Sequence, residues 1–439
     1  ATFHARIEPG RSLTLIASTE ENPDRESDRA LDSHRAWELQ LIQKSPIAEN
    51  APDWINQLVL AANQFIADRP SEAEPEGKTI LAGYHWFGDW GRDTMISLPG
   101  LTLATGRPEI ARSILRTFAP YVDRGMLPNR FPDAGDTPDY NTVDATLWYF
   151  EAVRAYHDAT RDDELLAELF PVLAEIIDWH RRGTRYNIHL DRDDGLLYAG
   201  EPDSQLTWMD AKVDDWTVTP RAGKPIEVSA LWYHALQAMV QFARTLKKPA
   251  GEYEDLARLT AKGFDRFWNE ELGYCYDVLD TPDRGSDRSL RPNQIFSVSL
   301  PPLKGTYGYS PLLNRDRQRR VVDVCGEALL TSYGLRSLAP DDPEYKGIYG
   351  GDRLQRDGGY HQGTVWGWLI GPYVLAHLRV YGDRVAAREL LVPMSHHLLA
   401  HGVGSLSEIF DGDAPMHPRG CIAQAWTVAE VLRAWLAIL

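Results

Sequence analysis

Residues 361 to 401 read HQGTVWGWLIGPYVLAHLRVYGDRVAARELLVPMSHHLLAH, two apolar-periodic stretches of helical length parted only by Gly382 and Asp383. A glycine ends a helix without steric penalty, and an aspartate just after it accepts from the free N–H groups that open the next one. So short a link makes the two helices antiparallel neighbours. The same punctuation recurs at Thr105-Gly106-Arg107-Pro108, where Gly closes one segment and Pro opens another.

Outward from this pair, helical periodicity marks twelve segments, at about 52–68, 92–105, 108–122, 142–159, 164–183, 226–247, 251–269, 292–300, 313–330, 361–381, 384–401 and 421–438. They fall into six pairs. The long Gly- and Asp-rich links, 69–91, 123–141, 184–225, 270–291, 331–360 and 402–420, each precede an even-numbered segment and therefore gather at one end. The pattern predicts an all-α fold, an (α/α)6 toroid of six helical hairpins with the even helices inside. Arg161, Asp162, Asp163, Glu164 and Glu168 give the fifth segment the charged face of an outer helix. Residues 1–20 alternate apolar and polar around Pro9-Gly10, which predicts two short strands. A hairpin alone is marginal, so the organisation reads as a short β segment, 1–20, followed by one helical catalytic domain, 21–439. The β segment is either laid on the helices or the tail of a β domain outside the sequence; residue 1 is Ala, which fits a processed form or a fragment.

A 439-residue chain with 43% apolar content can bury a large core. Its formal charge of −17 repels nucleic acid and anionic membrane surfaces and leaves a neutral or cationic ligand. No apolar run approaches the roughly 20 residues of a membrane helix. Cys275, Cys325 and Cys421 lie far apart with no C-x-x-C spacing, so a disulfide scaffold, a zinc site and any resident cofactor are not expected, and a reducing cytoplasm is the plain reading. Composition sets no oligomeric state.

Six polar-aromatic clusters occupy the six long links: YHWFGDWGRDT (84–94), PDYNTVDATLW (138–148), DSQLTWMDAK (203–212) with RAGKPIEVSALW (221–232), DRSLRPNQ (287–294), RDGGYHQGTVW (356–366) and SLSEIFDGD (405–413). Each precedes or overlaps an inner helix start, so they converge on one crater, the default place for a ligand. Indoles beside carboxylates suit sugars, whose C–H faces stack and whose hydroxyls need acceptors. Trp86, Trp208, Trp366 and Trp426 are candidate stacking platforms, with packing in the core as the other reading. Asp89, Arg92, Asp93, Asp210, Lys212, Glu227, His361 and Gln362 are candidate hydroxyl binders, joined by Asn141, Trp148 and Tyr360 from the same clusters. For Arg92 and Asp93 an internal ion pair is an equal alternative. Few histidines accompany the carboxylates and no H-E-x-x-H or EF-hand spacing occurs, so no metal site is read.

Cleaving a glycoside requires one carboxylic acid to protonate the leaving oxygen and a second carboxylate as base or nucleophile. Asp144, in a first helical turn between Tyr140, Leu147 and Trp148, is the candidate acid, because partial desolvation raises a carboxyl pKa although the helix dipole opposes it. Glu408, in a Ser-rich loop before the last inner helix, is the candidate base. Taken singly, the two also read as a helix-favouring carboxylate and a solvated loop charge.

Together WFGDWGRDT, Asn141-Thr142-Val143-Asp144-Ala145 through Trp148, WMDAK, TPRAGKPIEVSALWY, YHQGTVWGWLIGPY and QAWTVAEVLRA resemble the amylo-α-1,6-glucosidase domain of glycogen debranching enzymes, from about residue 80 onward. The resemblance implies an (α/α)6 barrel, an α-glucan or oligosaccharide substrate, release of glucose from α-1,6 stubs, and inversion with Asp144 as acid and Glu408 as base. Inverting pairs stand about 6.5 to 9.5 Å apart. It also implies a β-rich domain before the helices, as in bacterial relatives. A glucoamylase- or trehalase-like exo-glucosidase on the same barrel is the first alternative, and a carbohydrate-binding or phosphorolytic protein the second.

Overall fold

The computed structural model describes every residue except 1, 3, 20, 24, 25, 50, 72, 73, 132–136, 284 and 304–309. Its helices in chain order are α1 (Ser27–Lys44), α2 (Asp53–Gln64), α3 (Gly91–Leu98), α4 (Pro108–Phe118), α5 (Asp144–Thr160), α6 (Asp163–Arg182), α7 (Ile226–Thr245) and α8 (Gly251–Phe264). They continue as α9 (Phe296–Ser299), α10 (Arg315–Ala328), α11 (Arg353–Asp357), α12 (Ile370–Tyr381), α13 (Arg384–Glu389), α14 (Pro393–Ala400) and α15 (Ala425–Ile438). Helices α3, α5, α7, α9, α12 and α15 contact one another in that order, and α15 contacts α3, which closes a ring. Around it α2 packs on α15, α4 on α5, α6 and α8 on α7, α10 on α12, and α13 on both α12 and α15.

Burial separates the two sets. All eight residues of α3 and 17 of the 20 in α7 are buried, so these helices are covered on every side. In contrast α6 buries a single stripe, Leu165, Leu166, Leu169, Phe170, Leu173, Ile176 and Ile177, at the spacing of one helical face. Small residues let ring helices approach: an added Cβ on Gly100, just after α3, would stand 2.0 Å from the Ala429 carbonyl oxygen of α15. The links behave as read: Gly382 has φ +67 and the Asp383 carboxylate accepts from the N–H groups of Val385 and Ala386, both at 3.0 Å.

Several expectations are corrected. The eighth segment, 292–300, is a 3-10 turn (Pro292–Ile295) followed by the single turn of α9, because Pro301 forces Leu300 into an extended conformation. Segment 361–381 opens as a strand, Val365–Trp366, and is α-helical only from Ile370. Helix α1 was not among the twelve segments; it buries Leu41 alone and so shows little apolar period. Among the described residues of 1–20 there is a turn, with Arg11 N donating to Glu8 O at 3.0 Å, and no strand, since an isolated hairpin has no sheet on which to bury a face. Nor is the chain purely helical: short antiparallel sheets run through its long links. No helix among the described residues is long and apolar enough to cross a membrane.

One acidic cluster, Asp191, Asp194 and Asp280, has the spacing of a cation site. Its centre is filled by the buried ammonium of Lys224, which reaches the three carboxylates at 2.7, 2.7 and 2.8 Å just before α7 begins. Lys224→Ala removes the central cation, while Arg266 still pairs with Asp194 and, at 2.6 Å, with Asp280. Because Asp191 and Asp280 keep a third of their surface in water, the expected loss in urea denaturation is about 2 to 3 kcal/mol, below the range for wholly buried pairs.

Candidate active site

Two small sheets bring distant loops together. In one, strand Lys78–Tyr84 lies beside Phe87–Asp89 and beside Ala423–Gln424, pairing Gly83 with Gln424. In the other, Val365–Trp366 lies beside Ile409–Phe410, pairing Trp366 with Ile409, while Gly367 N donates to Glu408 O at 3.1 Å. These pairings set Glu408, from the loop before α15, next to Tyr360 and Trp366 from the loop before α12.

They wall a cavity of about 310 Å³. Of the residues singled out in the sequence, Arg92, Asp93, Asn141, Trp208, Asp210, Lys212, Tyr360, Trp366, Glu408 and Trp426 line it. Phe87, Trp90, Asn129, Gln205 and Gln424 also line it and were not selected. Four of these five lie inside quoted motifs, Phe87 and Trp90 in 84–94, Gln205 in 203–212 and Gln424 at the head of the last one; Asn129 lies in the link 123–141, upstream of its motif. Phe87, Lys212, Tyr360 and Glu408 are shared with a second cavity of about 540 Å³, to which Trp86, Tyr349, Arg356 and Asp357 contribute. Trp86 is therefore an outer residue, 63% exposed.

Six expected site residues stand behind the wall. Asp144 is buried against Arg92, whose Nε donates to both its oxygens at 2.9 and 3.1 Å, and it accepts from Thr142 Oγ1 at 2.8 Å. Asp89 pairs with Arg69 at 3.0 Å. Glu227 is held by Arg221 Nη2 at 2.7 Å, and Arg221 also holds Asp277 at 2.9 Å. Gln362 accepts from Arg291 Nη2 at 2.8 Å and donates to Val218 O at 3.1 Å. His361 is fully buried, stacked on Trp366 at 5.0 Å with an edge toward Trp208; burial holds it uncharged, its pKa well below the usual value. Trp148 packs edge-on against Phe296 at 5.6 Å. Five of the six are engaged by other side chains of the protein, while both ring nitrogens of His361 have no hydrogen-bond partner among the described residues.

The carboxylates that do reach the cavity, Asp93, Asp210 and Glu408, are each pushed up. Burial is the largest cause for all three, and repulsion from neighbouring carboxylates adds to it. Glu408 rises to about 7 even though the Tyr360 hydroxyl donates to Oε1 and the Cys421 N–H donates to Oε2 at 2.7 Å. Asp93 rises to about 8, with Arg92 opposing the shift and Gln424 Nε2 3.4 Å from Oδ1. Asp210 accepts from Arg92 Nη1 through Oδ2 at 2.8 Å. Its pKa is nonetheless raised.

The sequence model of the amylo-alpha-1,6-glucosidase family matches residues 60–433. The glycogen debranching enzyme of Saccharomyces cerevisiae is 24% identical over 65% of this chain, and the chain spans about a quarter (24%) of the length of that curated relative. Among solved structures, a GH63 mannosylglycerate hydrolase from Thermus thermophilus, in complex with Tris and D-glycerate, superposes with a TM-score of 0.62 at 14% identity, covering 88% of this chain and 100% of that one. An uncharacterized conserved protein from the same organism gives 0.60 at 15% identity with the same coverage.

Asp93 offers a direct test of the cavity's electrostatics. A carboxyl with a folded pKa of about 8 against an ordinary value near 3.8 destabilises the native state as pH rises through that interval, because the folded chain holds the proton longer. Asp93→Asn should therefore raise the melting temperature at pH 8, by a stabilisation on the order of a few kcal/mol, and raise it far less at pH 4. Equal gains at both pH values would contradict this electrostatic reading.

Proposed function

We propose, from the premise that the chain belongs to the amylo-alpha-1,6-glucosidase family, that it removes single glucose residues from α-1,6 stubs of a glycogen-like or limit-dextrin substrate, with inversion, in the cytoplasm. It is a glycoside hydrolase, and its helical ring is read here as an (α/α)6 toroid, residues 21–439 forming its catalytic domain. The observation that carries the reading is a single desolvated cavity walled by Asp210, Glu408, Asp93 and the indoles Trp208, Trp366 and Trp426. Its lining also keeps buried polar atoms without a partner among the described residues: acceptors Asn129 Oδ1 and Gln424 Oε1, and donor Trp426 Nε1. Sugar hydroxyls can satisfy such atoms.

The acid role moves from Asp144 to Asp210. Both oxygens of Asp144 are engaged by Arg92, away from the cavity. Asp210 commits only Oδ2 to Arg92, lines the cavity, and has a raised pKa, the state a general acid needs. In Glu408 both oxygens accept hydrogen bonds, an arrangement that favours the carboxylate and suits a base. Asp210 then protonates the glycosidic oxygen as the C1–O bond breaks. Water attacks C1 from the opposite face, and Glu408 takes its proton. Asp144 becomes a positioning residue that orients Arg92 and, through it, Asp210. A phosphorolytic reading is disfavoured because a phosphate would have to sit against Glu408.

Asp210→Asn and Glu408→Gln should each lower kcat by about a hundredfold or more, with the fold retained by circular dichroism. Asp144→Asn should lose less; a loss equal to that expected of Asp210→Asn, with near-full activity in the latter, would restore the first assignment. Proton NMR of the first-formed glucose should show the β anomer, and an initial α anomer would rule out inversion. Limit dextrin should be cleaved faster than linear maltodextrin or trehalose.

The pH profile tests the base. With Glu408 near 7, kcat/KM should fall as pH drops through about 7. Tyr360→Phe removes a hydrogen bond that holds this pKa down, so its acid limb should move to higher pH; an unmoved limb would separate the titration from Glu408.

A further inference from the structure

The hairpin that begins at Lys212 on the cavity wall ends outside it. Lys212–Val213 pairs antiparallel with Trp216–Thr217, and Trp216 beyond the turn is 43% exposed. Its ring is held nevertheless. Lys346 Nζ lies 5.6 Å from the indole centroid and donates to Gly358 O at 3.0 Å, and an added Cβ on Gly358 would stand 3.1 Å from the indole.

Gly358 and Gly359 sit between Asp357 of the outer cavity and Tyr360, which lines both cavities. Two further large apolar residues, Leu354 at 56% and Ile348 at 54% exposure, have their carbonyl oxygens beside these two glycines. Three exposed apolar residues thus have their backbone or ring beside the glycines that lead to the outer cavity, in a chain of formal charge −17. The indole is thus fixed in place while it remains open to solvent.

We propose that Trp216, with Ile348 and Leu354, is a binding platform for the glucan chain on the leaving-group side of the scissile bond. The inference rests on the glucosidase reading of the inner cavity. A substrate whose terminal ring fills the 310 Å³ cavity must continue outward past Glu408 and Tyr360 into the 540 Å³ cavity. The next surface in line is this platform. A glucan presents a C–H face at each residue, which stacks on an indole held from behind, while its hydroxyls stay in water.

The test compares substrates of different length in Trp216→Ala and Trp216→Phe. For limit dextrin, Trp216→Ala should raise KM about 5- to 10-fold with kcat unchanged, and Trp216→Phe should recover most of the loss. For a branched oligosaccharide short enough to end within the outer cavity, KM should stay within about twofold of the parent. Retardation of the protein in gels containing limit dextrin, measured in a Glu408→Gln background, reads binding without hydrolysis. Weaker retardation with Trp216→Ala, in a protein whose parent hydrolyses no glucan, would keep the platform and overturn the glucosidase reading. Unchanged retardation and equal KM shifts for both substrates, with hydrolysis intact, would overturn the platform alone. Retardation lost only toward a protein ligand, with limit dextrin unaffected, would also overturn it.

Discussion

A buried guanidinium needs acceptors for its donors, and Arg92 finds three acceptor side chains on two other parts of the chain. It leaves the first turn of α3, engages Asp144 at the start of α5 and Thr142 just before it, and reaches Asp210 in the long link before α7. An uncompensated cation in this position is strongly unfavourable, so the three segments are held in one relative arrangement. Two consequences follow for the chemistry. Both oxygens of Asp144 are engaged by Arg92, whereas Asp210, which lines the cavity, commits only Oδ2 to it.

The ring of buried helices supplies the rigidity on which that arrangement rests, while the long links supply the reactive groups. Short strands between links do what helices cannot: the pairing of Trp366 with Ile409 sets Glu408 beside the Tyr360 loop, and that of Gly83 with Gln424 sets Gln424 beside Asp93. The result is three carboxylates crowded in one desolvated space. Such crowding works against stability, and it is the usual signature of a site kept for function. The outer cavity shares Phe87, Lys212, Tyr360 and Glu408 with this space.

Much of this is legible in the sequence. Glycine and aspartate at 382 and 383 gave away an antiparallel link, and the position of the long links before even-numbered segments predicted that they share one end. The polar-aromatic clusters in those links, with the start of the last helix, located ten of the cavity residues. Asp89, Glu227 and Gln362 stood in the same clusters, yet each is taken by an arginine: Asp89 and Gln362 by Arg69 and Arg291 from elsewhere in the chain, Glu227 by Arg221 six residues before it. Nothing local distinguishes a carboxylate that meets a ligand from one that meets a guanidinium.

The division between sequence and tertiary structure follows from range. Helix existence, helix ends and link lengths depend on interactions within a few residues, and so the sequence by itself determined most of the succession of helices and the carboxylate-bearing links between them. Strands of two or three residues carry too little pattern to be read, and helix α1, with one buried residue, carries almost none. Only the tertiary structure decided which carboxylate faces the cavity. Asp144 and Asp210 differ in which of their oxygens Arg92 occupies, and that is set by contacts between residues far apart in the chain.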